Sequence, residues 1–183
     1  GDLDGDRRAD AVVVCEDGSV CARRGADGAP LWTRALGAAT RSFPVVADLD
    51  GDRLEDVVAG AEDGVLSALS GKDGAPLWTA RAGGPLRCGA AISNLDGKGG
   101  LEVVCGDESG TVRALTAAGV ELWTHAAGTP VRAPVLLAQL DGKPGLEVVF
   151  GGASGLVRAL DGATGQPLWS FKAGGEVRGA CTA

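Results

Sequence analysis

A repeat of about 46 residues constrains this chain more than any other feature of its sequence. Its four tryptophans are separated by 46, 45 and 46 residues, and nine-residue acidic loops begin at positions 2, 48, 94 and 139. Two unrelated markers therefore follow one period, which is how tandem structural units appear in a sequence. The 183 residues divide into four units that we expect to form a single domain: 1–47, 48–93, 94–138 and 139–183.

Each unit has the pattern of four short strands joined by tight turns. In the second unit, apolar segments at 43–47, 56–61, 65–69 and 76–82 are separated by turns that contain Asp and Gly. Gly or Asp interrupts every stretch that could place apolar residues at helical spacing. Four strands in a period of this length are typical of a propeller blade. The sequence predicts an all-β fold, a β-propeller with four blades per chain, each a four-stranded antiparallel sheet.

The loops at 2–10 and 48–56 each carry at least four carboxylates within nine residues. Such a group repels itself unless a cation lies among its oxygens, and Ca²⁺ prefers six to eight oxygen ligands at about 2.3–2.6 Å. An EF-hand is excluded, because its glycine stands sixth in the loop and these loops have glycine fourth. The alternative is an acidic surface turn that binds no metal. We expect calcium as the cofactor, with two sets of ligands: Asp2, Asp4, Asp6, the backbone carbonyl of Arg8 and Asp10; and Asp48, Asp50, Asp52, the backbone carbonyl of Leu54 and Asp56.

The two later loops have fewer acids and gain a lysine. Asn94 or Gln139 stands in the first position, a lysine in the fifth and a glutamate in the ninth. We expect the ammonium group to take the place of the ion, so that these loops keep the same turn without calcium. The predicted pairs are Lys98 with Asp96 and Glu102, and Lys143 with Asp141 and Glu147.

The first unit has no strand of its own before its loop, so its sheet needs one from elsewhere. Residues 176–183 resemble the segments that precede the later loops and are predicted to complete the first blade. Such pairing removes an exposed sheet edge. It closes a four-bladed ring if it occurs within one chain, and an eight-bladed ring if it occurs between two copies in a homodimer. A third alternative is that the four units come from a longer propeller.

Composition excludes several classes of partner. The net charge of −7 disfavours binding to nucleic acid or to an anionic membrane. No apolar stretch approaches the roughly 18 residues of a membrane span, so membrane insertion is not expected. Neither an initiating methionine nor a signal peptide is evident, which suggests a mature or excised segment. The five cysteines do not form a disulfide framework, although Cys15 and Cys21 flank one predicted turn and either pair or remain free.

Catalytic residues are not evident in the sequence. The single histidine, His125, follows Trp123 near the end of a strand and is expected to have a surface or capping role. There is no nucleophile elbow, phosphate-binding loop or Cys-x-x-Cys motif. We therefore expect that the protein is not an enzyme.

Two family resemblances follow from these motifs and together cover essentially the whole chain. The acidic loops with the strand that follows them, such as residues 48–58, resemble the FG-GAP/VCBS repeats of integrin-type propellers, whose acidic positions bind calcium. The segment from Ala159 to Trp169 is similar to the tryptophan-docking motif of PQQ-like, quinoprotein-type blades. The second resemblance implies that each tryptophan packs between neighbouring blades.

These features lead us to expect a calcium-stabilised β-propeller that acts as a binding or scaffold module for a protein or glycan. An extracellular or periplasmic location is expected, because abundant calcium would fill even a weak site there. The alternative is a fragment of a quinoprotein-type enzyme or of an outer-membrane assembly scaffold. The enzymes of that type typically have an adjacent cysteine pair over the cofactor, which this sequence lacks. Four arginines recur before the innermost strands and form either salt bridges between blades or an anion-binding rim: Arg41, Arg87, Arg132 and Arg178.

Overall fold

The computed structural model describes residues 1–179 and 181, which form fifteen β-strands and no helix. This part of the chain accordingly has no helix long and apolar enough to cross a bilayer. The strands are β1 (Ala11–Val14), β2 (Ser19–Arg23), β3 (Pro30–Ala35), β4 (Val45–Ala47), β5 (Asp56–Gly60), β6 (Val65–Leu69), β7 (Pro76–Arg81), β8 (Ala91–Ser93), β9 (Glu102–Gly106), β10 (Thr111–Thr116), β11 (Glu121–Ala126), β12 (Leu136–Ala138), β13 (Glu147–Gly151), β14 (Leu156–Asp161) and β15 (Pro167–Lys172).

Each unit is a meander in which antiparallel strands pair in chain order. The four sheets are β1-β2-β3, β4-β5-β6-β7, β8-β9-β10-β11 and β12-β13-β14-β15. In the second unit, Val58 pairs with Val45 on one side and with Ala68 on the other, and Ala68 also pairs with Trp78. The predicted all-β propeller fold is confirmed. The first sheet has three strands among the described residues, as expected for a unit without a strand before its loop.

Apolar cores fill the spaces between consecutive units. Strand β5 shows the reason, because Val57 and Val58 point to opposite faces of the sheet, as neighbouring side chains on a strand do. Val57 belongs to a buried cluster shared with the first unit, which includes Val20. Val58 belongs to a second cluster, shared with the third unit, which includes Val103. A third cluster joins the third and fourth units. The sheets of the second and third units are therefore buried on both faces.

A tryptophan on the outermost strand also fastens each of the first three units to the next. The indole N–H of Trp32 donates to the carbonyl of Gly71 at 2.6 Å. Its ring covers Gly74, where a Cβ would lie 2.7 Å from the ring and where the φ of 71° also favours glycine. This is the packing between blades that the PQQ-like resemblance implies. The same contacts join Trp78 to Ala117 and Gly119, and Trp123 to Gly162 and Gly165.

The described residues form an open arc of four units. The innermost strands β4 and β12 both lie beside β8. No hydrogen bond or ion pair joins the described residues of 1–38 to those of 139–181, and no buried apolar cluster is shared between them. The first and fourth units therefore each have one face without a neighbouring unit.

The segment predicted to complete the first blade begins along the fourth unit. The N–H of Val177 donates to the carbonyl of Gly152 at 3.4 Å, as the N–H of Leu86 does to Ala61 in the second unit. Residues 180, 182 and 183, which are three of the eight residues of the predicted closing strand, lie outside the described residues. Closure within one chain and closure between two chains both stay predictions.

Candidate functional site

The acidic loop of the second unit folds around the carboxylate of Asp48. The two oxygens of Asp48 accept the N–H groups of Gly51 and Arg53 at 2.7 and 3.0 Å. Both of these residues have a left-handed backbone, with φ of 83° and 75°. Glycine adopts that conformation at little cost, whereas an arginine loses roughly 1–2 kcal/mol. The loop of the first unit has the same turn, built on Asp2, Gly5 and Arg7.

Three carboxylates of this loop converge. Oxygens of Asp48, Asp50 and Asp56 lie within 4.8 Å of one another. Ligands at about 2.3–2.6 Å from a common ion are separated by no more than about twice that distance, so one calcium ion fits the spacing. Asp52, also predicted as a ligand, lies outside this group, and its carboxylate accepts the N–H of Leu54 at 2.8 Å. The first loop is alike: Asp2, Asp4 and Asp10 converge, while Asp6 accepts the N–H of Arg8.

The last aspartate of the loop also positions a tryptophan contact. Asp56 accepts the N–H of Leu49 within the loop at 2.9 Å and that of Gly71 in a later turn at 3.1 Å. Gly71 is the residue whose carbonyl receives Trp32. Burial raises the pKa of Asp56 in spite of its two N–H donors, and the charge of Asp50 raises the pKa further. A cation among these oxygens would favour the ionised form and strengthen the link between loop and tryptophan.

An arginine already lies against the loop of the first unit. The Nε atom of Arg24 donates to Asp4 at 3.1 Å, and this hydrogen bond is the main reason that the pKa of Arg24 is raised. The second unit has Ser70 at the equivalent position, and Asp50 has no cationic partner in the described part of the chain. A metal ion in the first loop must therefore compete with Arg24, whereas one in the second loop need not.

Lysines occupy the two later loops. The Nζ atom of Lys98 lies 3.4 Å from Asp96, and that of Lys143 lies 2.6 Å from Asp141. The hydrogen bond from the Lys143 side chain lowers the pKa of Asp141. Each lysine thus makes the first of its two predicted pairs. The second pairs, with Glu102 and Glu147, are not formed, because those carboxylates accept the N–H groups of Leu95 and Leu140, as the aspartates do in the earlier loops.

Arginines and glutamates form a belt of ion pairs at the residues that lead into the innermost strands. Arg87 contacts Glu62 at 3.0 Å and Glu108 at 3.5 Å, and Arg132 links Glu108 at 2.8 Å to Glu176 at 3.0 Å. The hydrogen bond from Arg132 holds the pKa of Glu108 below its ordinary range. All four arginines have a carboxylate partner, which favours salt bridges over an anion-binding rim. The outer pairs are Arg41 with Glu16 and Arg178 with Glu176.

An exposed aromatic side chain stands beside this belt. Phe43 is 69% exposed, the largest value among the large apolar side chains of the described residues. The sequence predicts it as the start of a strand, but β4 begins two residues later, at Val45. The equivalent positions in the next two units are Gly89 and Pro134, so the side chain is specific to this unit. Because Phe43 lies two residues after Arg41 of the belt, it is a candidate contact residue.

His125 and Cys105 are both held in packed surroundings. The ring of His125 packs edge-on against Phe150 at 6.1 Å between centroids, and its Nε2 lies 3.3 Å from Arg158. Burial and then the charge of Arg158 lower the pKa of His125. Burial raises the pKa of the Cys105 thiol to about 12, so it stays protonated and weakly nucleophilic at neutral pH. All five cysteines are free, and Cys15 does not pair with Cys21.

The fold and its tryptophan contacts define a class of protein, the β-propellers built of PQQ-like blades. A family model described as outer membrane protein assembly factor BamB matches residues 7–144 and, in a second alignment, residues 108–183. The chain belongs to this family. No curated protein matches the chain. The family match confirms the PQQ-like resemblance, whereas calcium binding and the FG-GAP/VCBS resemblance of the loops stay predictions.

Three of the solved structures with the same fold are about twice as long or longer. BamB from Moraxella catarrhalis is 26% identical with a TM-score of 0.69, over 88% of this chain and 44% of that one. The computationally designed Ika8 protein is 22% identical with a TM-score of 0.73, over 94% and 49%. Quinohemoprotein alcohol dehydrogenase from Comamonas testosteroni is 15% identical with a TM-score of 0.71, over 89% and 34%. The last two likenesses show the fold alone, and the chain spans less than half the length of each of the three.

Two residues of the candidate site could have been found by aligning the units more closely. Arg24 stands where the second unit has Ser70, which marks it as specific to the first loop. Phe43 stands where the next units have small or rigid residues. No such signal shows that Asp52 accepts a backbone N–H instead of joining the other carboxylates, because this contact follows from the three-dimensional shape of the turn.

Proposed function

We propose that this chain is a non-catalytic binding module of a BamB-type propeller, which acts in the periplasm and contacts a protein during outer-membrane protein assembly. The observation that carries the proposal is the family match, whose description names that process. The relative from Moraxella catarrhalis, at 26% identity, is a BamB as well. Exposed Phe43 and the neighbouring ion pairs support a protein partner over a glycan, because apolar anchors within a charged rim are typical of protein interfaces.

The binding proposal is tested with an unfolded outer-membrane β-barrel protein that carries a fluorescent label. Its binding to the purified chain is followed by fluorescence anisotropy. Phe43→Ala should weaken binding about tenfold, which corresponds to about 1.4 kcal/mol for an apolar anchor. Val120→Ala is the matched control, because Val120 is similarly exposed but lies in the turn before β11. No binding by the wild-type chain, or equal weakening by both variants, would contradict the proposal.

A quinoprotein role is the second candidate, because quinohemoprotein alcohol dehydrogenase shares the fold. The likeness is limited to the fold at 15% identity, and the sequence has no adjacent cysteine pair. Titration with pyrroloquinoline quinone distinguishes the two roles. We expect no saturable change in the absorbance of the quinone. Stoichiometric binding would favour the enzyme role and contradict the non-catalytic one.

Calcium binding by the two early loops is part of the same proposal. It is supported by the converging oxygens of Asp48, Asp50 and Asp56 and by the equivalent group in the first loop. Calcium would neutralise these carboxylates and, through Asp56 and Gly71, stabilise the contact made by Trp32. Its role would be structural, and millimolar calcium outside the cytoplasm would fill even a site of modest affinity.

Calcium binding is measured as stabilisation against urea, with about 1 mM calcium or with a chelator. A site with a dissociation constant of about 10–100 µM adds about 1.4–2.7 kcal/mol to the free energy of unfolding at that concentration. Asp50→Asn should remove most of the gain at the second loop. Asp96→Asn is the matched control, since Asp96 holds the same position in a loop that contains lysine. The calcium proposal fails if calcium does not stabilise the wild-type chain, or if Asp50→Asn leaves the calcium-dependent gain in the free energy of unfolding unchanged.

A further inference from the structure

Three consecutive junctions between units share one design with two halves. The preceding unit supplies a tryptophan from its outermost strand. The following unit supplies a carbonyl that accepts the indole N–H and a glycine that lies against the ring, as Gly71 and Gly74 do for Trp32. At all three junctions the indole and the carbonyl are 39 residues apart in sequence, and their bonded atoms are 2.6, 2.7 and 2.8 Å apart.

A fourth tryptophan is present but has no such contact. Trp169 of β15 is 46% exposed, whereas its counterpart Trp123 is 9% exposed. The apolar face beside it is open as well. Val157 of β14 is partly exposed, whereas its counterparts in the first three units are almost fully buried: Val20, Leu66 and Val112.

A fourth receiving turn is present in the first unit. Gly28, with φ of 73°, has no atom within 4 Å of the position a Cβ would take. Gly25 offers the equivalent carbonyl, and its N–H donates to Asp10 at 2.9 Å. This is the same support that Asp56 gives to Gly71 in the second unit. The turn is therefore prepared for an indole ring that the described residues of the chain do not supply.

The first unit also carries half of an apolar core. Val13 of β1 is 50% exposed, whereas the residues at its position in the other three units are each 1% exposed. Ala11, two residues earlier on the same face, is exposed too. The buried counterparts of Val13 are Ala59, Cys105 and Phe150, and those of Ala11 are Val57, Val103 and Val148.

We propose that two copies of this chain bind head to tail around a twofold axis, with Trp169 of each copy against Gly25 and Gly28 of its partner. Among the described residues, no hydrogen bond, ion pair or buried apolar cluster joins the first unit to the fourth, so each of the two faces is open to a second copy. The arc also matches about half of the longer Ika8 protein, over 94% of its own length and 49% of that chain. Two arcs of four units each would make one ring of eight blades. The proposal concerns assembly and does not depend on the proposed function.

The proposal is tested by sedimentation velocity and native mass spectrometry of the full chain. We expect a species near twice the chain mass of 18.2 kDa. Trp169→Ala should raise the dissociation constant of the dimer at least a hundredfold, because the change removes a central tryptophan from both junctions. Gly28→Asn should do the same, because the new side chain fills the space that the indole of the second copy would occupy. Asparagine is chosen because it tolerates a left-handed backbone. Leu122→Ala, at an exposed residue beside a tryptophan that is already docked, should leave the dimer intact.

Mixing the two disrupting variants distinguishes a lost interface from a lost fold. In a mixed dimer, one junction has both wild-type halves and the other carries both changes. The mixture should therefore assemble more tightly than either variant alone. The proposal is overturned if the wild-type chain stays at 18.2 kDa at all concentrations. That result would mean that the arc closes on itself or that a different chain covers the two faces. It is also overturned if the dimer forms and neither variant weakens it.

Discussion

Replacing Gly165 by alanine tests whether contact between ring and glycine fixes each junction. A Cβ at residue 165 would lie 2.6, 2.7 and 3.0 Å from three carbon atoms of the Trp123 ring. The ring cannot retreat freely, because its N–H donates to the carbonyl of Gly162 at 2.8 Å and the side chain is buried. The substitution therefore strains a junction that is already filled.

Two costs determine the size of the effect. At a φ of 71°, the left-handed backbone of alanine costs about 1–2 kcal/mol of folding stability. The lower entropy of the unfolded chain offsets about 0.4–1 kcal/mol of that cost. Forcing a methyl group into a packed contact adds roughly 1–3 kcal/mol. Gly165→Ala should therefore lower the free energy of unfolding by about 2–4 kcal/mol.

Gly128 provides a matched control for the backbone cost. Its φ is also 71°, but no atom lies within 4 Å of the position a Cβ would take. Gly128→Ala should lower the free energy of unfolding by only about 0.5–1.5 kcal/mol. The two variants are compared by urea unfolding followed by far-ultraviolet circular dichroism, with the slopes of the transitions checked for equality. Losses that agree within about 0.5 kcal/mol would refute the argument that the ring contact matters.

Two further predictions concern charged side chains. Arg24→Ala should raise the calcium affinity of the first loop several-fold by freeing Asp4; calorimetric titration in an Asp50→Asn background isolates that loop, and an unchanged affinity would contradict the competition. The second concerns Glu108, whose pKa is lowered below 4.5 chiefly by its hydrogen bond from Arg132. Such a carboxyl stabilises the fold above its ordinary pKa and loses that contribution as the pH falls through the lowered value. Arg132→Ala should therefore weaken the fall in thermal stability between about pH 6 and pH 3, and an unchanged pH dependence would argue against it.

The strands could be predicted closely because local pattern and fold agree along most of each unit. The expected segments 56–61 and 65–69 correspond to Asp56–Gly60 and Val65–Leu69. Both are apolar runs bounded by turns with Gly and Asp, and both are buried by neighbouring units on either side. The exception is at 43–47, where apolar Phe43 points to solvent and β4 begins at Val45. Sequence pattern cannot separate an apolar residue that is buried in a core from one that is exposed.

The acidic loops show a different limit. Alternating aspartates indicate that carboxylates gather, and three of the four in each early loop do so. Asp52 accepts the N–H of the residue two positions later instead, which is a common alternative for aspartate in turns. Whether an aspartate faces the centre of the loop or its own backbone depends on φ at residues such as Arg53, whose left-handed conformation is not evident from its identity.

Ring closure is the feature that a repeated sequence is least able to specify. Each unit carries both halves of the same junction, so the first and last units necessarily present Gly28 and Trp169 to whatever lies beyond them. Which partner they meet depends on the angle of rotation from one unit to the next, roughly 90° for a ring of four and 45° for a ring of eight. That angle depends on the thickness of the cores between units, and equivalent core positions hold residues as different as Ala59 and Phe150. Closure is therefore fixed by the sizes of side chains between sheets, a property that becomes visible only when the units are stacked.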